Sequence, residues 1–260
     1  MQNELDFKGR TVLVTGSGRN IGRAILLEFA GRGANVIVNT RTNREEAERV
    51  AAEAEELGAQ AAVVLGAASD KETVEAIREE AERRFGGVDM YVSNAARRLH
   101  KSFDETTDED WHFHLNQQLT ASWYLAKAFV PGMRERGWGR IIHINGGDGY
   151  LGGATRFPHS TAKGGLRTLT KSLAEALGQH GITVNDVSPG FMDTVRDPET
   201  HPEVVDKDNN LTQQVVRSIP IGRQPTVDEL AWACVFLCSP RSAAITGSVI
   251  HVDGGAFRLG

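Results

Sequence analysis

His159 and Lys163 are two side chains of this sequence whose types could take part in proton transfer. They stand four residues apart where a segment of helical periodicity begins, so both project from one helix face. A neutral imidazole can accept or donate a proton, and a neighbouring ammonium lowers its pKa and keeps it neutral. The pair predicts proton transfer by His159 together with Lys163. The alternatives are that His159 only binds the substrate, or is only a polar residue at a helix start.

A glycine-rich turn, Gly16 to Gly22, joins the first apolar run to a helical segment. Gly16 lets the chain turn tightly, and Gly22 lets the helix pack close to the sheet with its N-terminus facing a pyrophosphate. Asn20 stands where glycine is commoner, and asparagine tolerates a left-handed backbone better than most residues. The turn predicts a dinucleotide site, the alternative being a glycine loop that binds nothing.

The end of the second strand distinguishes between the two nicotinamide dinucleotides. An acidic residue there would bind a ribose hydroxyl and repel the 2′-phosphate of NADP(H), but residues 38–43 contain none. Arg41 can pair with that phosphate, and Arg19 in the glycine turn can join it. This favours NADP(H) over NAD(H), unless Arg41 is only a solvated loop charge.

Short β-branched runs alternate with longer helical segments along the chain. This alternation predicts an α/β fold with a parallel sheet that is covered by helices on both faces. The predicted strands are 11–15, 35–39, 61–65, 88–93, 140–145, 183–187 and 248–252. The predicted helices are 20–31, 44–57, 71–85, 108–136, 160–179 and 227–238.

Composition limits the class of protein. The 260 residues carry a formal net charge of -5, which fits a single domain and argues against a nucleic-acid partner. No apolar run is long enough for a membrane span, and residues 1–10 do not form a secretory signal. Cys234 and Cys238 fall on one helix face and are expected to be buried small hydrophobes. A cytoplasmic location is the default expectation.

Several motifs in register resemble the short-chain dehydrogenase/reductase family over essentially the whole chain. They are the glycine turn after Thr15, Ser93 to Ala96, Lys163, Val187 to Gly190, and Gly247 to Gly255. The resemblance implies a Rossmann-type doubly wound sheet of seven parallel strands in a single domain. It also implies a homotetramer, and a lid over a small-molecule substrate at about residues 191–217.

The resemblance extends the expected cofactor site beyond the glycine turn. It implies that Asn94 and Ala95 lie along the cofactor, that Lys163 bonds the nicotinamide ribose, and that Pro189, Gly190 and Thr194 lie near the nicotinamide. The full predicted cofactor site is Gly16, Ser17, Arg19, Asn20, Ile21, Gly22, Arg41, Asn94, Ala95, Lys163, Pro189, Gly190 and Thr194.

The sequence departs from the family at the catalytic positions, where members usually carry Asn, Ser, Tyr and Lys. Lys163 matches, whereas His159 stands in the tyrosine position and Gly146 in the serine position. Gln118 stands in the asparagine position, although Asn116 is close enough to compete. Loss of one oxyanion donor can lower turnover by about 10² to 10³. The predicted catalytic set is therefore His159, Lys163 and Gln118, in a pocket wider than usual.

Two further groups follow predicted strands at the sheet edge where ligands bind. Asp148 and Tyr150 could supply a proton in place of the tyrosine, or be ordinary turn residues. A basic cluster after the fourth strand suggests an anionic substrate, the alternative being a solvated loop. Its members are Arg97, Arg98, His100 and Lys101.

These features predict an NADP(H)-dependent oxidoreductase acting on a carbonyl, alcohol or imine carbon. An imine is included because its protonated form yields a neutral amine and needs no alkoxide donors. The alternatives are an NADP(H)-binding protein without dehydrogenase activity and a non-redox acid–base enzyme on the same fold. No metal site is predicted.

Overall fold

The computed structural model of this protein describes residues 5–195 and 210–257. Its centre is a seven-stranded parallel sheet with the order β3-β2-β1-β4-β5-β6-β7, so the predicted doubly wound α/β fold is confirmed. The strands are β1 (Thr11–Thr15), β2 (Asn35–Thr40), β3 (Ala61–Leu65), β4 (Met90–Ser93), β5 (Gly139–Ile144), β6 (Ile182–Pro189) and β7 (Val249–Val252).

Helices cover both faces of the sheet, which is why most strand residues are buried. One apolar core lies beneath α1, α2 and α9, and the other beneath α3, α5 and α7. The helices are α1 (Asn20–Ala30), α2 (Arg44–Glu56), α3 (Lys71–Phe85), α4 (Asp108–Leu115), α5 (Ala121–Arg136), α6 (Asp148–Leu151), α7 (Phe157–Leu177), α8 (Asn210–Ser218) and α9 (Val227–Cys238).

Three helical features differ from the sequence prediction. The predicted helix 108–136 is interrupted by a π-helical segment, Asn116–Thr120, which periodicity cannot reveal because the interruption adds only part of a turn. The short helix α6 has too few residues to show a period, and α8 lies in the segment predicted as a lid and was not among the predicted helices. The predicted lid, 191–217, lies partly outside the described residues.

Burial of the remaining elements follows the sequence pattern. Cys234 and Cys238 are both fully buried in α9, as expected for small core hydrophobes. Within the described ranges, no helix combines the length and apolarity that crossing a membrane requires. Because all seven strands run parallel, their carboxyl ends meet at one edge of the sheet, and the loops at that edge form the candidate site.

Candidate active site

A cleft of about 940 Å³ opens along the carboxyl edge of the sheet. It runs from the glycine turn after β1 to the loops that follow β5 and β6. The structure brings most of the predicted site residues together in its wall: Gly16, Arg19, Asn20, Ile21, Gly22, Arg41, Asn94, Ala95, His159, Lys163, Pro189, Gly190 and Thr194. Ser17 and Gln118 do not line the cleft and lie behind its wall.

The glycine turn has the close packing that its sequence predicts. A Cβ atom added to Gly22 would lie 2.3 Å from the carbonyl oxygen of Gly16, so only glycine fits there. Gly16 has a φ of 65°. Asn20 has a φ of 50° and is the one non-glycine residue of the described ranges with a positive value, as the sequence led us to expect. No side chain caps the first turn of α1, so its N–H groups are left for a ligand.

Hydrogen bonds fix the turn against its neighbours. The Asn94 amide donates to the carbonyl oxygens of Thr15 and Gly16, at 2.9 and 3.2 Å. The fully buried Ser17 accepts from the Asn39 backbone through its hydroxyl, so it supports the turn from beneath. Asn20 exchanges two hydrogen bonds with the Val195 backbone, at 2.8 and 3.1 Å. This last contact, which joins the loop after β6 to the turn, was not predicted.

The outer end of the cleft is basic. Arg19 and Arg41 both line it, together with Asn39 and the loop after β3, Gly66 to Ser69. Among the described residues that line the whole cleft, the one carboxylate is that of Asp148, at the opposite end. A phosphate at the outer end would therefore meet two guanidinium groups and no repelling charge.

His159 lies at the inner end of the cleft, near the start of α7, with only 4% of its surface exposed. The Gln118 amide nitrogen is 3.0 Å from its Nδ1 atom, and Asp148 Oδ2 is 3.5 Å from its Nε2 atom. The buried His114 ring packs edge-on against it, with 5.8 Å between centroids. Burial, followed by the charge of Lys163, lowers the pKa of His159 well below its usual range, so the imidazole is neutral.

Lys163, one turn further along α7, donates to the Ile144 carbonyl oxygen at 2.6 Å. Burial lowers its pKa to about 8, and the charge of Asp186 partly opposes that shift. Asp186 is itself fully buried on β6, and this raises its pKa to about 6. It accepts hydrogen bonds from Thr170, at 2.6 Å, and from Asn145, at 3.1 Å. Lys163 therefore has a buried carboxylate behind it that the sequence did not indicate.

Gly146 has a conformation that a side chain rarely adopts. Its φ is 129°, although an added Cβ would meet nothing nearer than the Pro189 carbonyl oxygen at 4.0 Å. The wall is therefore open at this point. The backbone path after β5 nevertheless favours glycine, because any side chain at this φ would strain the backbone.

The other proton and anion candidates separate into two groups. Asp148 and Arg98 line the inner cleft, and so do Arg97 and His100. Tyr150 lies outside it, beneath the guanidinium of Arg167, which is 3.4 Å from the ring centroid. A proton role for Tyr150 is therefore not supported. Lys101 binds Asp110 at 2.6 Å and also lies outside the cleft.

The sequence reasoning missed three residues of the inner cleft. Arg156 binds the Asp148 carboxylate, with its Nη2 atom 3.0 Å from Oδ1. Arg156 precedes His159 by three residues at the start of a helix, and this spacing could have indicated that the two side chains lie on the same side of it. Phe257 lines the wall from the far C-terminal segment, and His114 packs behind His159. Neither has a local sequence signal, because chain topology alone brings it to the site.

Comparisons with known proteins agree with this architecture. A family model described as enoyl-(acyl carrier protein) reductase matches residues 16–256. The 3-oxoacyl-(acyl-carrier-protein) reductase FabG of Aquifex aeolicus (strain VF5) is 36% identical over 255 residues, which are 98% of this chain and 100% of that protein.

Solved structures give the same result. The gluconate 5-dehydrogenase of Burkholderia cenocepacia J2315, in complex with NADP and tartrate, has a TM-score of 0.88 and 31% identity, with 99% of each chain covered. The L-sorbose reductase of Gluconobacter frateurii, complexed with NADPH and L-sorbose, has a TM-score of 0.91 and 32% identity, covering 98% of this chain and 99% of that one. The chain thus belongs to the short-chain dehydrogenase/reductase family of oxidoreductases.

Proposed function

We propose that this protein is an NADP(H)-dependent oxidoreductase in which His159 handles the proton. It would move hydride between the nicotinamide and a hydroxyl- or oxo-bearing carbon of a small anionic substrate. The observation that carries the proposal is the row of Gln118, His159 and Asp148 at the inner end of the cleft. The glycine turn and two arginines stand at its outer end.

The residues present fit NADP(H). Gly22 lets the start of α1 pack against the glycine turn, since even a Cβ would collide with Gly16, and the uncapped first turn of α1 leaves its N–H groups for a pyrophosphate. Arg19 and Arg41 would hold the ribose phosphate, and Lys163 reaches the same cleft beside His159. Two structural relatives were solved with NADP or NADPH, which supports the same choice. When bound, the nicotinamide supplies or accepts the hydride.

His159 would act as a base when an alcohol is oxidised. The O–H proton of the substrate would move to His159 Nε2 while the hydride of its C–H bond leaves to the bound nicotinamide, so that a carbonyl forms. The imidazolium would then lie 3.5 Å from the Asp148 carboxylate, which would stabilise it. Reduction would reverse these steps and would require His159 to take up a proton first, because the resting imidazole is neutral.

Gln118 is suited to fix the ring in the tautomer that this step needs. With Nδ1–H donating to the amide oxygen, the lone pair of Nε2 is left for the substrate proton. Gln118 Oε1 is buried and has no hydrogen-bond partner among the described residues, so rotation of the amide would present this oxygen to Nδ1–H. Without that rotation the amide nitrogen donates to Nδ1 and the ring hydrogen lies on Nε2.

We also propose that His159 and Gly146 occupy the family's tyrosine and serine positions. Support comes from Lys163, which follows His159 by one turn of α7, and from Gly146, which borders the same cleft. The lid at about 191–217 and the homotetramer remain part of this proposal. Exposure of Trp123 on α5, at 45%, is compatible with an interface there.

The test compares His159→Phe with His112→Phe, which changes an exposed histidine of α4. We expect His159→Phe to lower kcat on hydroxy and oxo substrates by about 10² or more, because acid–base catalysis contributes 10²–10⁴. NADPH affinity, measured by calorimetry, should stay unchanged in both variants, and His112→Phe should keep full turnover.

Three outcomes contradict the proposal in different ways. Undetectable NADPH binding would show that the protein does not use this cofactor. Tight NADPH binding without turnover over a broad panel of alcohols, carbonyls and imines indicates a binding protein without dehydrogenase activity. Substrate conversion with no change in nicotinamide absorbance indicates non-redox acid–base chemistry.

A further inference from the structure

The inner end of the cleft carries more positive charge than the cofactor requires. Arg97, Arg98 and Arg156 line it, and among the described lining residues Asp148 supplies the one carboxylate. The phosphates of a dinucleotide belong at the outer end, and an oxidised nicotinamide ring is itself positive. The arginine cluster is therefore suited to bind another anion, in a chain whose overall net charge is -5.

Asp148 shows where such an anion can bind. Its Oδ1 atom is 3.0 Å from Arg156 Nη2, and its Oδ2 atom is 3.9 Å from Arg98 Nε. The same Oδ2 atom is 3.5 Å from His159 Nε2. One carboxylate thus spans the distance from the arginines to the reacting nitrogen. The arginine side chains are 35% and 32% exposed, so a ligand in the cleft can reach them.

We infer that the substrate is a hydroxy or oxo acid whose carboxylate lies one or two carbons from the reacting carbon, where Arg98 and Arg156 hold it. The inference rests on the proposed function, because His159 sets the position of the reacting oxygen. An acid group further along a substrate chain would extend past both arginines. A guanidinium has five N–H donors, and Asp148 engages the Nε and Nη2 atoms of Arg156, so the remaining N–H donors on Nη1 and Nη2 can serve a second carboxylate.

The first test changes the charge of the substrate and little else. With NADP⁺ as oxidant, we expect kcat/KM for 3-hydroxybutyrate to exceed that for 3-hydroxybutyramide by about 10- to 100-fold, as hydrogen bonds to charged groups imply. The longer acid 5-hydroxyhexanoate should behave like the amide. Equal values for the acid and the amide would overturn the inference.

The second test changes the protein. Arg156→Gln and Arg98→Gln should each lower kcat/KM for the acid by about 10-fold or more beyond any loss on the amide, because both arginines also hold Asp148, the partner of the imidazolium. Arg156→Lys should retain part of the preference, because it keeps the charge and loses the fork. Lys101→Gln is the matched control, since this lysine of the same loop pairs with Asp110. Equal losses on acid and amide would show that the arginines only support the fold.

A binding measurement separates this inference from the proposed function. Malonate, which cannot be oxidised, should bind the NADP⁺ complex in calorimetry and bind more weakly to Arg156→Gln. Asp148→Asn should bind malonate more tightly, since a competing carboxylate is gone, yet turn over more slowly, since the imidazolium loses its partner. Malonate binding without any turnover would keep the anion site and refute the oxidoreductase. Turnover of neutral alcohols with no malonate binding would keep the oxidoreductase and refute the anion site.

Discussion

The amide nitrogen of Gln118 lies 3.0 Å from Nδ1 of His159, although 41 residues separate them in the chain. The π-helical segment Asn116–Thr120 makes this contact possible, because it turns Gln118 inward, where only 2% of its surface is exposed. Interruptions of this kind are frequent at functional sites. The wider helical turn thus joins the helix after β4 to the reacting group on α7.

Gln118→Leu should lower kcat by about 10- to 100-fold, because the imidazole loses the partner that fixes its tautomer. The expected loss is smaller than the full contribution of a positioned acid–base group. NADPH affinity should not change, since Gln118 lies behind the cleft wall. Steady-state kinetics and calorimetry check both statements. Gln179→Leu, at an exposed glutamine, serves as the control. Unchanged kcat in Gln118→Leu would contradict an orienting role.

Replacement of Arg41 tests the choice of cofactor. Arg41→Ala should weaken NADPH binding by about 10- to 100-fold, the value of a charge-assisted hydrogen bond to phosphate, and leave NADH binding unchanged. Arg44→Ala provides the comparison, because Arg44 is exposed at the start of α2 and pairs with Glu48. Equal losses for both dinucleotides would mean that Arg41 does not contact the phosphate.

Gly146→Ser should not recreate a family-type site. At a φ of 129° any side chain strains the backbone, and we expect a loss of about 1–2 kcal/mol in the free energy of unfolding. Gly146→Ala should lose the same amount. Gly164→Ala is the matched control, since Gly164 is helical and an added Cβ meets nothing nearer than 3.6 Å. Denaturant unfolding measures all three, and a stable Gly146→Ser that reduces ordinary ketones faster would disprove this expectation.

Asp186 should make stability depend on pH in the mildly acidic range. Burial raises its pKa to about 6 from an ordinary value of 3.8, so between these values the folded protein binds more protons than the unfolded chain. Asp186 should therefore make a contribution to the free energy of unfolding that falls as pH rises from about 4 to about 6, whereas the buried neutral His159 and His143 contribute a rise over the same range. Asp186→Asn should remove that contribution, so the free energy of unfolding should rise more steeply between about pH 4 and 6 in this variant, whereas Asp104→Asn, at an exposed position, should keep the original pH dependence. Denaturant melts across this range provide the measurement.

The same substitution should move the alkaline limb of the kcat profile. The Asp186 charge raises the pKa of Lys163 against the larger effect of burial, and the result is a pKa of about 8. Without that carboxylate the pKa falls, so the loss of the lysine charge should begin at lower pH in Asp186→Asn. An alkaline limb at the same pH in both proteins would show that Lys163 does not set it.

The sequence alone determined the fold class, because alternating buried strands and amphipathic helices permit few architectures. It also determined the nucleotide-binding end of the cleft, because Gly16, Gly22 and Asn20 are residue types suited to the local backbone of that turn. The burial of Cys234 and Cys238 followed from their apolar surroundings for the same reason.

Only the tertiary structure decided how the inner site is assembled. Gln118, Asp148 and Arg156 meet at His159 because separate elements converge at one sheet edge, and a long-range contact leaves no local pattern. In the sequence, Tyr150 and Lys101 could not be distinguished from the neighbouring candidates. In the structure, both side chains lie outside the cleft, against Arg167 and Asp110 respectively. The conformation of Gly146 likewise depends on the path between β5 and α6, which residue type permits but does not dictate.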